Sequence, residues 1–465
     1  MTTPDSENQS ARPMRVVLLT NQFLPRVGGA EVLTLREAVA LRAMGHETRI
    51  LTLRLDRVWP RTEAMQGVPV RRLGGLFVGR KLRLKFGAQW LAEARLWLHL
   101  VRTRHTYDVI HMRQISFLAR PVALASRVTG KPVIVQIANA GPGSDSPVPS
   151  SAETTLDAGT ALDPHAPYLR IPKGSWGGSD MDTLRASQWT ARRTLRMLRH
   201  RAITLLSVSS RTTTYLLEDG LRPEQIVLLP TGIEPEQYAP ALAHNAERAE
   251  HPRATPPTVL CVARYRYEKG LDYLLHAWLL VRQRVPDARL ILAGGGQLQQ
   301  QLAHMIAALG LGDAVDLAGV RDDVKTLLGE VDAFVLPSRY EGLPNALLEA
   351  MAAGLPCVVT RVSGCEDVVL DGQTGFIVPP GQPNALADAL VRVLTQPELA
   401  HALGRAGRDR AVNHYDRRDL MRQLTDLYAR VIAAANGQPS HIPSAANTAT
   451  TAELPVPAAP GGRTR

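Results

Sequence analysis

A chain of 465 residues, 45% hydrophobic and 21% charged, has the composition of an ordinary globular protein of two to three domains at roughly 150 residues each. No apolar run approaches the ~18 residues a membrane span needs, the polar N-terminus MTTPDSENQSARP lacks the apolar core of a signal peptide, and three scattered cysteines argue for a reducing cytoplasm and against a disulfide or zinc framework. The net charge of +11 lies entirely in residues 1–250, with 33 Lys+Arg against 22 Asp+Glu, and is densest in 51–100, with ten basic and three acidic side chains; such an imbalance suits a surface that meets something anionic.

Residues 1–13 read as a disordered tail. The first unit, 14–232, opens with the buried-type strand MRVVLLTN, turns through Gly28 and Gly29 in QFLPRVGGAE, and enters the helix EVLTLREAVALRAMG. Strands HETRILTLR, YDVIHMR, KPVIVQIAN and AITLLSVS follow. Strand, glycine turn and helix in this order predict a parallel, doubly wound sheet. Residues 79–105 place Leu82, Phe86, Trp90, Ala94, Leu98 and Val101 at helical spacing, flanked by Lys81, Arg83, Lys85, Arg95 and Arg102. That pattern fits a helix docking on an anionic membrane surface, or one whose apolar face packs on the domain core. Residues 141–180 form a polar insertion without periodicity, a mobile lid or a disordered segment.

Residues 233–256, rich in Pro, Ala and charge, read as a linker. The second unit, 257–415, repeats the plan: PTVLCVARY, a helix LDYLLHAWLLVRQRV, then ARLILAGGG, AVDLAGV, VDAFVLPS and LPCVVTR, each followed by a loop or helix. An amphipathic closing helix spans 416–436, and 437–465 is a Pro/Ala/Thr-rich disordered tail. The predicted fold is α/β: two Rossmann-like doubly wound domains facing across a cleft, with ligands at the carboxyl ends of the strands.

Two stretches at those ends carry chemistry. In ARYRYEKGLD, Arg264 and Lys269 bracket a loop that runs through Gly270 into a helix, a ready site for phosphate. In EGLPNALLEAMAAG, one charge, Glu349, stands inside an apolar helix, eight residues after Glu341. A buried carboxylate is costly unless something pairs with it. As a pure acceptor it suits the paired hydroxyls of a ribose or hexose rather than phosphate. Two acids and two cations at one sheet edge fit a nucleotide-sugar.

The same residues carry a family resemblance. EGLPNALLEAMAAGLP resembles the E-x7-E signature of glycosyltransferase family 4, the retaining glycosyltransferases of group 1 with the GT-B fold. NQFLPRVGGAE, SVSSRTTTYLLEDG, IVLLPTGIE, VARYRYEKG, LAGGG and DGQTGFIVPP agree with it in order, over roughly residues 14–435. The resemblance implies that Glu349 binds the ribose, Glu341 holds the donor sugar, and Arg264 and Lys269 neutralise the departing diphosphate. It implies that the backbone of Gly342 and Leu343 touches the phosphate or sugar, that Gly28 and Gly29 approach the diphosphate, and that Val320 and Arg321 contact the base. His111 is a candidate to line the cleft. Arg113, Ala138, Asn139, Thr231 and Glu234 depart from the family pattern in the first half.

The expectation is a hexosyltransferase acting from a nucleotide-diphosphate-sugar onto a hydroxyl acceptor, without metal or cofactor and without nucleic acid. It would be cytoplasmic or peripheral on the inner face of a membrane, in polysaccharide biosynthesis. A GT-B sugar-nucleotide epimerase and a non-catalytic polyanion- or membrane-binding module are the competing readings.

Overall fold

The computed structural model describes residues 12–25, 29–74, 77–78, 81–82, 86–138, 196–200, 202–250, 256–439 and 441–442. The 141–180 insertion and Gly28 lie outside the described residues.

The first sheet is assembled from β1 (Arg15–Leu19), β2 (Glu47–Leu53), β3 (Thr62–Met65) and β4 (Val68–Leu73), and, after the short hairpin of β5 (Phe77–Val78) and β6 (Lys81–Leu82), from β7 (Val109–Met112), β8 (Val133–Ile137), β9 (Ile203–Ser207) and β10 (Ile226–Leu228). Its order is β10-β9-β8-β7-β1-β2-β4-β3. Every pair is parallel except β3 with β4. Strands such as VIHM, VIVQI and ITLLS are buried at every position, as expected where helices cover both faces of a parallel sheet.

The second sheet contains β11 (Thr258–Val262), β12 (Arg289–Ala293), β13 (Val315–Gly319), β14 (Ala333–Leu336), β15 (Cys357–Thr360) and β16 (Phe376–Val378), in the order β13-β12-β11-β14-β15-β16 and parallel throughout. Each sheet winds outwards in both directions from its first strand. The point of reversal falls between β1 and β7 in one and between β11 and β14 in the other. Loops diverge there at the carboxyl edge and leave a crevice.

The chain crosses between the sheets twice, and the crossings touch. The Ile233 N–H donates to the Tyr415 carbonyl (2.9 Å) and the Arg417 N–H to the Ile233 carbonyl (2.7 Å). Gly232 permits this approach, since a Cβ there would stand 2.7 Å from the Tyr415 oxygen. The helix Arg417–Ala435 then returns to the first sheet. It buries Leu420, Met421, Leu424, Leu427, Tyr428 and Val431 among Val16, Leu18, Leu41 and Ile134.

Two segments differ from the sequence reading. Residues 233–256 are not plain linker: a 3-10 turn, Pro235–Tyr238, leads into a helix, Ala239–Glu250. Tyr238 and Ala241 join the second unit's core, and the Asn245 amide donates to the carbonyls of Leu328 and Ala353, both at 2.9 Å. The alanine content taken as linker-like supplies helix propensity instead. In the helix Phe86–Arg102, the core takes Ala92, Leu96 and Leu100, whereas Trp90 and Leu98 of the expected stripe are 72% and 39% exposed.

Candidate active site

β11 and β14 are hydrogen-bonded neighbours, so the loops that leave them stand side by side. The β11 loop carries Arg264 and Lys269, and the β14 loop carries Glu341. Gly270, at φ +60°, makes the contact possible, because a Cβ there would collide with the Pro337 carbonyl. Lys269 Nζ lies 2.5 Å from Glu341 Oε1, with both side chains largely buried, and the Ser338 hydroxyl donates to the same oxygen at 2.6 Å. A lysine holding a carboxylate across two loops gives the site a fixed cation beside a fixed acceptor.

Arg264 stands further out, 61% exposed, with Nη2 at 3.8 Å from the buried carboxylate of Glu268; Arg266 lies 3.6 Å from the same oxygen. The N–H groups of Gly342 and Leu343 have no acceptor among the described residues. The loop that holds them is braced by Gly364, at φ +76°, where a Cβ would strike the Gly342 carbonyl. Donors without acceptors beside two cations make this corner suited to an anion.

The helix Asn345–Ala352 follows. Leu347, Leu348, Ala350, Met351 and Ala352 are buried, and Gly354 at φ +75° ends it. The Tyr238 hydroxyl acts on Glu349, as do the charges of Arg36, Lys325 and Arg417, from the first unit, the second unit and the closing helix respectively. Burial dominates these attractions and pushes its carboxyl above the usual value. Tyr238, itself buried, is pushed up by burial and by Glu349.

Val320 is 83% exposed at the end of β13, and Arg321 beside it forms a fork onto Asp323, with Nε to Oδ1 at 2.7 Å. In the first unit, Gly29 opens the helix Gly29–Ala43 at the β1 side of the reversal point. Nearby, Ser116 from the β7 loop donates to the Asn21 side chain from the β1 loop at 2.6 Å.

His111 does not line the cleft. It is 0% exposed, its Nδ1 lies 2.6 Å from the Tyr428 hydroxyl and 3.4 Å from Glu37, and burial lowers its proton affinity. The reason is its place on β7 beneath the closing helix. Arg113 also turns inward, with Nη1 at 2.5 Å from Glu37 Oε2. Burial pushes the Glu37 carboxyl up, yet Arg113 and His111 outweigh it and leave the group below its usual value. The three cysteines are free and buried.

Sequence reading missed the residues that support this site. Arg339 pairs with Asp272, Ser338 bonds Glu341, and Tyr238 meets Glu349. Arg339 and Ser338 sit inside the PSRYEG stretch, but no periodicity or spacing in one sequence announces a partner 67 residues away.

Two doubly wound sheets joined by a double crossing, with an anion-ready loop pair at one reversal point, place the chain in the GT-B class of two-domain glycosyltransferase folds. Comparison with known proteins agrees. Residues 244–410 match the family described as Glycosyl transferases group 1 and residues 28–232 a Glycosyl transferase 4-like domain. The chain belongs to this group 1, family-4-type set of glycosyltransferases.

The alpha-D-kanosaminyltransferase of Streptomyces kanamyceticus is 27% identical over 414 residues, 86% of this chain and 98% of that one. The GDP-mannose-dependent alpha-(1-6)-phosphatidylinositol monomannoside mannosyltransferase of Mycolicibacterium smegmatis is 32% identical over 209 residues. That match covers 43% of this chain and about half (55%) of the relative's length. Among solved structures, sucrose-phosphate synthase from Thermosynechococcus elongatus superposes with a TM-score of 0.68 at 20% identity, over 90% of this chain and 100% of the other. HepE from Anabaena, in complex with UDP and glucose, superposes at 0.65 and 18%, over 90% and 99%. At such identities the structures show the shared fold.

Proposed function

We propose that this protein transfers a hexose-type sugar from a nucleotide-diphosphate-sugar to a hydroxyl acceptor with retention of configuration and without a resident metal. The observation that carries the reading is the Lys269–Glu341 pair at the β11/β14 reversal point, with Arg264 on the same loop. A donor of this class is also what the mycobacterial relative's name states for that enzyme.

When the bond from the anomeric carbon to the diphosphate oxygen breaks, its electron pair leaves with the diphosphate and positive charge develops on the sugar. Lys269 and Arg264 face the growing negative charge, where fixed cations contribute most. Glu341 accepts from sugar hydroxyls and Glu349 from the ribose. The acceptor oxygen bonds to the anomeric carbon on the face the diphosphate leaves, and its proton passes to the departing phosphate oxygen. No protein nucleophile is needed. Val320 and Arg321, with Gly29 of the first unit, complete the donor contacts in this reading.

The acceptor side includes a membrane component. Trp90 and Leu98 project outward on the helix Phe86–Arg102 beside exposed Arg95 and Arg102, as on a surface that rests against anionic lipid. No helix among the described residues is long and apolar enough to cross a membrane.

A thermal-shift panel of nucleotide-sugars tests the donor reading. A ligand at 100 times its Kd stabilises by about 2.7 kcal/mol, so one donor should raise Tm clearly. A flat panel would defeat the proposal. Release of nucleoside diphosphate only when acceptor is present separates transfer from epimerisation of the sugar-nucleotide alone.

A further inference from the structure

The β11 and β14 loops are joined by a buried clamp that sequence analysis did not identify. The Arg339 guanidinium forks onto Asp272, with Nη1 to Oδ1 at 2.9 Å and Nη2 to Oδ2 at 2.6 Å. It lies between two rings, 3.8 Å from the centroid of Tyr267 and 4.1 Å from that of Tyr273. Nη1 also donates to the Tyr267 carbonyl at 2.8 Å, and the Arg339 backbone N–H to the Glu268 carbonyl at 2.8 Å. One residue of the β14 loop thus grips the chain on both sides of Lys269, through Tyr267 and Glu268 of the β11 loop before it and Asp272 of the helix Leu271–Arg284 after it. Arg339 itself stands between Ser338 and Glu341.

A buried ion pair of this kind adds little net stability over an apolar pair of the same volume, because both charges must be desolvated. Its strength is geometric: a planar fork stacked between rings fixes distance and orientation together. We propose that Arg339 is a positioning residue whose clamp on Asp272, Tyr267 and Tyr273 sets the Lys269–Glu341 spacing, and so the alignment of leaving-group cation and sugar-binding carboxylate. This rests on the proposed function for its meaning, but the spacing itself can be read without any donor.

The experiment is competitive amine labelling of the ligand-free full chain with trace acetic anhydride, read at Lys269 by mass spectrometry. Lys131 and Lys325, on other elements, serve as internal references. Wild type is compared with Arg339→Lys, which keeps the charge but cannot fork or stack, and with the milder Tyr273→Leu should Arg339→Lys fail to fold. The expected result is a several-fold rise in Lys269 reactivity relative to both references, as the lysine is released from Glu341. A Lys269 ratio unchanged from wild type, in a folded variant, overturns the inference and leaves Arg339 a structural pair. Global loosening alone raises all three lysines together and counts against it equally. Absence of nucleotide-sugar binding by wild type would defeat the functional reading while leaving the labelling result standing, so the two failures are distinguishable.

Discussion

Lys269 and Glu341 meet at 2.5 Å although 72 residues separate them in the chain. The contact exists because β11 and β14 are neighbours at the reversal of the sheet. It makes each side chain the other's counter-ion; in the function proposed above, the donor's diphosphate draws Lys269 and its sugar hydroxyls take up Glu341. In that reading, replacing Lys269 by Met removes a cation from the developing charge and leaves Glu341 held by the Ser338 hydroxyl. The expected loss is on the order of 10²–10³ in kcat, with a smaller change in donor KM, measured as nucleoside diphosphate release. A variant that lost only KM would place Lys269 in binding and not in the departure of the diphosphate.

Glu349→Gln separates function from stability. Burial holds the Glu349 carboxyl above its ordinary value of 4.5. A carboxyl raised on folding contributes stability that is complete below its unfolded value and is lost as pH rises through the folded one. At pH 7 the charged group therefore works against folding, and the neutral amide should match or exceed the wild-type Tm. Donor affinity should fall, because hydrogen bonds to a charged acceptor contribute about 1.5–3 kcal/mol. Calorimetry of donor binding beside thermal melts checks both halves. A Tm well below wild type would show that Tyr238 and the surrounding cations make Glu349 a structural keystone instead.

Acid should expose a brace remote from the site. Asp108 accepts from Arg15 Nε at 3.1 Å and from its backbone N–H at 3.0 Å, joining the starts of β7 and β1. Burial works against the charge, but Arg15 and then Lys131 hold the carboxyl below its ordinary value of 3.8. The stability so gained is present above 3.8 and is lost as pH falls through the folded value. Asp108→Asn should cost about 1 kcal/mol at pH 7, and in urea titrations the difference from wild type should shrink steadily as pH is lowered below 3.8. A gap that persists in acid would mean the amide disturbs packing and not charge.

Trp90 tests the membrane component. Burying such a side chain is favourable by about 1.5–3 kcal/mol, so Trp90→Ala should weaken binding to anionic vesicles about tenfold or more at low salt. Tm should change little, since the ring is 72% exposed. Co-sedimentation that is equal for both proteins would remove the helix Phe86–Arg102 from the docking surface.

What was legible in the sequence follows from range. Both sheets were visible because parallel strands buried on two faces must be continuously apolar, and the glycines at their ends mark reversals. Glu341, Glu349, Arg264 and Lys269 stood out because charge is conspicuous at the edge of an apolar run. The Arg339–Asp272 pair was invisible for the opposite reason: each residue is an ordinary charge in a charged loop, and only the β11–β14 pairing brings them together. Burial of His111 depended on the helix Arg417–Ala435 folding back over β7, a contact spanning 317 residues. The outward face of Trp90 likewise depended on Ala92, Leu96 and Leu100 reaching the core first.

The most direct test of the central claim is a transfer assay in EDTA, with UDP- and GDP-sugars offered against lipid-linked sugars and small hydroxyl acceptors. Nucleoside diphosphate release is followed, and the product's anomeric configuration is read by NMR. Retaining, metal-independent transfer predicts acceptor-dependent release, a product with the donor's configuration, and near-complete loss of both in Lys269→Met. A product of inverted configuration, activity only with added divalent ion, or conversion of one sugar-nucleotide into another without acceptor would contradict it.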